Sequence, residues 1–104
     1  MAVLDEDARE AALKDLPGWR YDADARALRR TFRFRDFSEA FGFMARAALQ
    51  AEKADHHPDW SNSYNRVEVS LQTHSAGGVT ALDTALAAKM DAIAASLAER
   101  GAAD

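Results

Sequence analysis

Two stretches of strict alternation constrain this chain more than any other feature. In 66-RVEVSLQTH-74, Val67, Val69 and Leu71 fall on one side, and Glu68, Ser70, Gln72 and His74 on the other. In 27-ALRRTFRF-34, Leu28, Phe32 and Phe34 share one face, while Arg29, Thr31, Arg33 and the following Arg35 share the opposite one. Successive strand side chains point to opposite faces, so a period of two marks a strand with one buried and one wet side. Such strands belong to antiparallel sheets, because parallel strands are covered on both faces and read as continuous apolar runs.

The rest of the chain supplies cover for that sheet. Residues 5–15 read as a short helix with acidic residues at its start and Lys14 near its end, broken by Leu16-Pro17-Gly18. Trp19 and Tyr21 open another alternating stretch, and Asp22-Ala23-Asp24 is the expected turn into the strand at 27–34. Asp36 followed by Glu39 is a capping pair, opening a helix over 37–53. That helix is expected to bury Phe37, Phe41, Met44 and Ala48, with Ala40 and Ala45. Gly42 inside it suggests a close backbone approach by a neighbour. The segment 54–65 is polar, aromatic and aperiodic, and reads as a loop with at most a short strand near Trp60–Ser61. Thr80 and Asp83 form a second capping pair ahead of a helix over about 80–99, striped by Leu82, Leu86, Met90, Ile93 and Leu97. The simplest arrangement that hides these stripes is α+β, one antiparallel sheet with helices on one face, in one domain spanning residues 1–104.

Composition removes several classes of function. The net charge of −4 argues against a general nucleic-acid binder, and the Arg26, Arg29, Arg30, Arg33 and Arg35 cluster reads as a solvated strand face. With no cysteine there is no disulfide scaffold, thiolate metal site or Cys nucleophile. No apolar core follows a basic start and no apolar run is long enough for a membrane span, so the expected location is the cytoplasm. A domain of 104 residues buries a modest core, which favours association with copies of itself.

Candidate chemistry gathers at the three histidines, His56, His57 and His74. None lies on an apolar stripe, and all sit at element ends, where functional groups concentrate on a rigid scaffold. Pro58 pushes His57 towards extended geometry, so His56 and His57 should point in different directions. Imidazole titrates near neutrality, so one ring can hold a proton while another lacks it, and Glu52 or Asp55 could orient one of them. A metal site stays open beside acid–base catalysis, although adjacent ligands at 56 and 57 do not easily converge on one ion. Trp60 reads as an aromatic anchor of its loop, and Asn62, Tyr64 and Asn65 as residues that hold loop geometry.

Three blocks in order carry a resemblance: Glu52-Lys53-Ala54-Asp55-His56-His57-Pro58-Asp59-Trp60, then Asn62-x-Tyr64-Asn65-x-Val67, then Thr73-His74 followed by Gly78-x-Thr80-x-x-Asp83. With Trp19, Phe34-x-Asp36-Phe37 and Ala40-Phe41-Gly42-Phe43, the chain closely resembles the pterin-4a-carbinolamine dehydratase family over roughly residues 16–98. The resemblance implies a four-stranded antiparallel sheet with helices on one face, assembled as a homodimer or homotetramer. It implies loss of water from a 4a-hydroxytetrahydropterin to give the quinonoid dihydropterin, with no metal or organic cofactor. The product would return to the pterin cycle of an aromatic amino-acid hydroxylase. The match gives His56, His57 and His74 the catalytic positions, with Glu52 as an orienter. It gives Asp55, His56, His57 and the run Gln72, Thr73, His74 and Ser75 the substrate contacts. Some animal members also act as dimerisation cofactors of a homeodomain transcription factor, so an interaction module is the alternative class.

Overall fold

The computed structural model describes residues 2–103, with side chains through Leu97. Its elements are α1 (Glu6–Leu13), β1 (Arg20–Asp22), β2 (Ala27–Arg33), α2 (Phe37–Ala54), β3 (Asp59–Ser63), β4 (Arg66–Leu71) and α3 (Ala81–Ala103). The four strands form one antiparallel sheet in the order β1-β2-β4-β3, so the fold is α+β as the alternation requires. The two strictly alternating segments pair at its centre, with Leu28 opposite Leu71 and Phe32 opposite Val67. Leu28, Phe32, Val67, Val69 and Leu71 are all buried beneath the helices. No helix among the described residues is long and apolar enough to cross a membrane.

Local chemistry sets the element ends. Asp5 and Asp36 cap α1 and α2, accepting from the backbone N–H groups of Ala8 and Glu39 at 2.8 Å each. The Asp22 carboxylate accepts from the N–H groups of Asp24 and Ala25, closing the β1–β2 turn. Asn62 and Asn65 do hold loop geometry: the Asn62 amide donates to the carbonyls of Tyr64 and Arg66, and the Asn65 amide to that of Phe34.

Three expectations from the sequence are corrected. On α2, Phe37 and Phe41 are exposed, as are Ala45 and Ala48; the buried stripe is Ala40, Phe43, Ala47 and Ala51. Both stripes have helical spacing, and residue size decides between them. Three alanines let the helix backbone approach its neighbours, leaving room for one ring, Phe43, which packs 4.6 Å from Phe32 and 5.0 Å from Phe34 between ring centroids. Met44 is half-buried against this core. Gly42 faces open space, so no close approach accounts for it. The segment after α2 holds a five-residue strand, β3, longer than the short strand expected near Trp60–Ser61. Pairing with β4 makes it, in spite of its polar composition.

On α3, Leu86, Met90 and Leu97 are buried as expected, with Ile93 packed beside them. Asp91 on the same helix accepts from the Trp19 indole N–H at 2.8 Å and from the Arg30 guanidinium at 2.6 Å. Arg30 thus turns under the sheet rather than into solvent, and lies 4.2 Å over the Phe32 ring.

Candidate active site

The loop after α2 separates His56 from His57 by a defined turn. Asp55 takes a left-handed conformation (φ 51°), and the His56 N–H reaches back to the Ala51 carbonyl at 3.0 Å. This is the Schellman arrangement, with Asp in the place often taken by Gly. It sends the His56 ring inward, where the residue is 8% exposed, and leaves His57 in solvent. His74 lies beyond β4, at the start of a turn closed by the paired backbones of Thr73 and Gly78, with Gly77 at φ 80°. That positive φ is the reason for a glycine there.

Each histidine meets its own carboxylate. His56 Nε2 is 2.5 Å from Asp83 Oδ1, His57 Nε2 is 2.6 Å from Glu52 Oε1, and His74 Nε2 is 3.3 Å from Asp59 Oδ2. An ionised carboxylate only accepts, so a neutral ring that meets one through Nε2 carries its hydrogen there and has Nδ1 as its acceptor.

The Asp83 carboxylate, fully buried, organises the centre of the site. Its Oδ2 accepts from the Thr80 N–H at 2.8 Å and from the Thr73 hydroxyl at 2.9 Å. The Thr80 hydroxyl donates to Thr73 Oγ1 at 2.7 Å and accepts from the Leu82 N–H at 3.2 Å. Every donor in this relay is used once: Leu82 to Thr80, Thr80 to Thr73, Thr73 to Asp83. Buried polar groups are costly unless so satisfied. The network ties the end of β4, the start of α3 and the loop after α2 to one side chain, and so fixes His56 relative to Thr73 and His74.

The residues singled out from sequence are therefore joined unevenly. His56 and Thr73 meet through Asp83, while His57 and Glu52 form an exposed pair. Such exposed pairs contribute little stability. Gln72 is half-buried and Ser75 exposed, flanking Thr73 and His74. Asp55 forms the turn. Among the described residues no three His, Asp or Glu side chains converge as metal ligands. Sequence reasoning missed Asp59 and Asp83 as histidine partners. Thr80-x-x-Asp83 does cap α3, but the cap occupies only Oδ2, and the second oxygen was the available signal.

The chain matches the family model described as Pterin 4 alpha carbinolamine dehydratase over residues 2–93. A relative from Afipia carboxidovorans named "Putative pterin-4-alpha-carbinolamine dehydratase" is 63% identical over 93 residues, covering 89% of this chain and 93% of its own. One of the same name from Rhodopseudomonas palustris is 62% identical over 98 residues, covering 94% and 96%. The crystal structure of a transcriptional coactivator/pterin dehydratase from Brucella melitensis is similar with a TM-score of 0.86 and 56% identity, over 88% of this chain and 98% of that one. With matches of this extent in both sequence and fold, the chain belongs to the pterin-4a-carbinolamine dehydratase family.

Proposed function

We propose that this protein is a hydro-lyase that removes water from a 4a-hydroxytetrahydropterin by histidine acid–base catalysis, giving the quinonoid dihydropterin. The observation that carries the reading is the set of three histidine–carboxylate pairs at one end of the sheet. Hydroxide leaves poorly, so a general acid must protonate the 4a-hydroxyl as its C–O bond breaks. The electron pair of the adjacent ring nitrogen forms the C=N bond, and a general base removes that nitrogen's proton. Each role contributes typically 10²–10⁴-fold.

His57 and His74 carry most of the proton transfer, because both are exposed and each presents Nδ1. His56, buried on Asp83, supports binding or serves the other face of the ring. Glu52 orients His57. Asp55 and the segment Gln72, Thr73, His74 and Ser75 contact the substrate. The Thr73 hydroxyl is occupied by Asp83, which leaves the contacts from that segment to its backbone and its neighbours.

The product returns to tetrahydropterin recycling in the cytoplasm, with an aromatic amino-acid hydroxylase as the client. The protein works as a homodimer or homotetramer. Phe37, Phe41 and Leu49, which are 49%, 58% and 70% exposed on the outer side of α2, favour association. The same stripe favours a second reading, an interaction module for another protein.

Separate replacement of His56, His57 and His74 by alanine tests the assignment. Losses of 10²-fold or more in kcat are expected at His57 and His74, and a smaller one at His56. Equal and small losses at all three positions would sink it. Retention of partner binding after loss of all three histidines would favour the interaction module.

A further inference from the structure

The open face of the sheet carries a row of side chains that the dehydration chemistry does not use. Arg20 on β1 is directly opposite Arg29 on β2, Arg29 is opposite Ser70 on β4, and Ser70 is opposite Asp59 on β3. Directly opposed residues of an antiparallel pair project on the same side, so this is one line across all four strands. It ends at Asp59, the carboxylate that meets His74. The strand spacing of about 4.8 Å places Arg29 roughly 10 Å and Arg20 roughly 14 Å from Asp59 between backbones. The line runs through a cleft of about 370 Å³, whose walls include Arg20, Arg29, Thr31, Ser61 and Ser70.

Two guanidinium groups side by side on a sheet are unfavourable, because like charges directly opposite repel. Asp22 relieves only part of this, with an exposed contact to Arg29 at 3.2 Å. Arg20 has no carboxylate partner among the described residues. The remaining acid on this face, Glu68, is turned towards Arg66 (Nε to Oε1, 3.7 Å). An acidic chain thus holds a repelling cation pair over a cleft lined by hydroxyls and by the carboxylates Asp59 and Glu68, the first of which meets the candidate catalytic His74.

We propose that this cleft is a subsite for the substrate's side chain, and that the side chain ends in an anionic group of the phosphate monoester type held between Arg20 and Arg29. The proposal rests on the dehydration reading for the position of the ring beside His74. A short chain on a two-ring heterocycle spans the row from there to the arginines. Guanidinium groups match phosphate with paired N–H donors, and the Ser70 and Thr31 hydroxyls supply further ones.

The test uses two fully oxidised, unreactive pterins with the same three-carbon side chain, one ending in a hydroxyl and one in a phosphate. Calorimetric titration of the full chain should show the phosphate form binding about tenfold tighter or more at low salt. The advantage should shrink as salt rises. Arg20→Glu should abolish it and Arg20→Gln reduce it. Both variants should melt no lower than wild type, since each removes a repulsion. Equal affinities in wild type, or a preference that survives Arg20→Glu, overturn the subsite. Turnover of the matching reduced carbinolamines is read separately. A phosphate preference without dehydration leaves the subsite standing and refutes the reaction. Dehydration without the preference, or without binding of either oxidised pterin, does the reverse, and failure of both pterins to bind with no turnover overturns both.

Discussion

Replacing Asp83 by asparagine tests the geometry of the site through a single atom. Oδ2 serves two donors, the Thr80 N–H and the Thr73 hydroxyl, so the amide oxygen of an asparagine would take that place. Its NH₂ group would then face His56 Nε2, a donor opposite a donor. The ring escapes only by moving its hydrogen to Nδ1 and accepting at Nε2. Hydrogen bonds to a charged group contribute about 1.5–3 kcal/mol and neutral ones about 0.5–1.5, so weakening the two at Oδ2 costs about 2 kcal/mol. For a domain of this size that lowers Tm by about 8–16 °C. Nitrogen-15 spectra of the imidazoles report the tautomer directly. The expected result is an Nε2–H form of His56 in the wild type, an Nδ1–H form in Asp83→Asn, and a fall in kcat that His57 and His74 do not share in their spectra. An unchanged His56 tautomer in a folded variant would refute the claim that Asp83 sets it.

Other expectations concern the scaffold. Ala47→Leu, on the buried stripe of α2, should overpack the core and cost about 1–3 kcal/mol in a denaturant titration. Phe41→Glu, on the exposed stripe, should leave that midpoint within about 0.5 kcal/mol once the protein is monomeric, while light scattering shows a smaller assembly. At the left-handed turn, Asp55→Val should lower stability by about 1–2 kcal/mol, whereas Asp55→Asn should be tolerated by the fold. Equal melting of these two variants would remove the turn from the account of how His56 and His57 are separated.

The central strands, the capping residues and the three histidines were legible because each is a local signal. Leu28, Phe32, Val67 and Val69 declare their face by alternation, and Asp36 and Thr80 stand where helix ends need acceptors. The buried face of α2 was not legible, because Phe37 and Phe41 form as good a stripe as Ala40, Phe43, Ala47 and Ala51. Only the packing space between helix and sheet decides between them. The strand at 59–63 was legible only as a short piece near Trp60–Ser61, since its partner on β4 rather than its own composition sets its full length. The carboxylates at 59 and 83 lie 15 residues before His74 and 27 residues after His56, a separation that spacing arguments along one element cannot reach. Glu52 was named from sequence as an orienter; the folded chain supplied Asp83 and Asp59 as the partners of His56 and His74.

Dehydration is proposed to be the work of the histidine–carboxylate pairs. The most direct measurement follows the ultraviolet absorbance of chemically generated 4a-hydroxytetrahydropterin in buffer, with wild type and with His57→Ala. Wild type should accelerate dehydration over buffer, and the variant should lose at least a hundredfold of that acceleration while staying folded. Folded, assembled wild type that leaves the rate at that of buffer would contradict it, and the exposed stripe of α2 would then become the feature to explain.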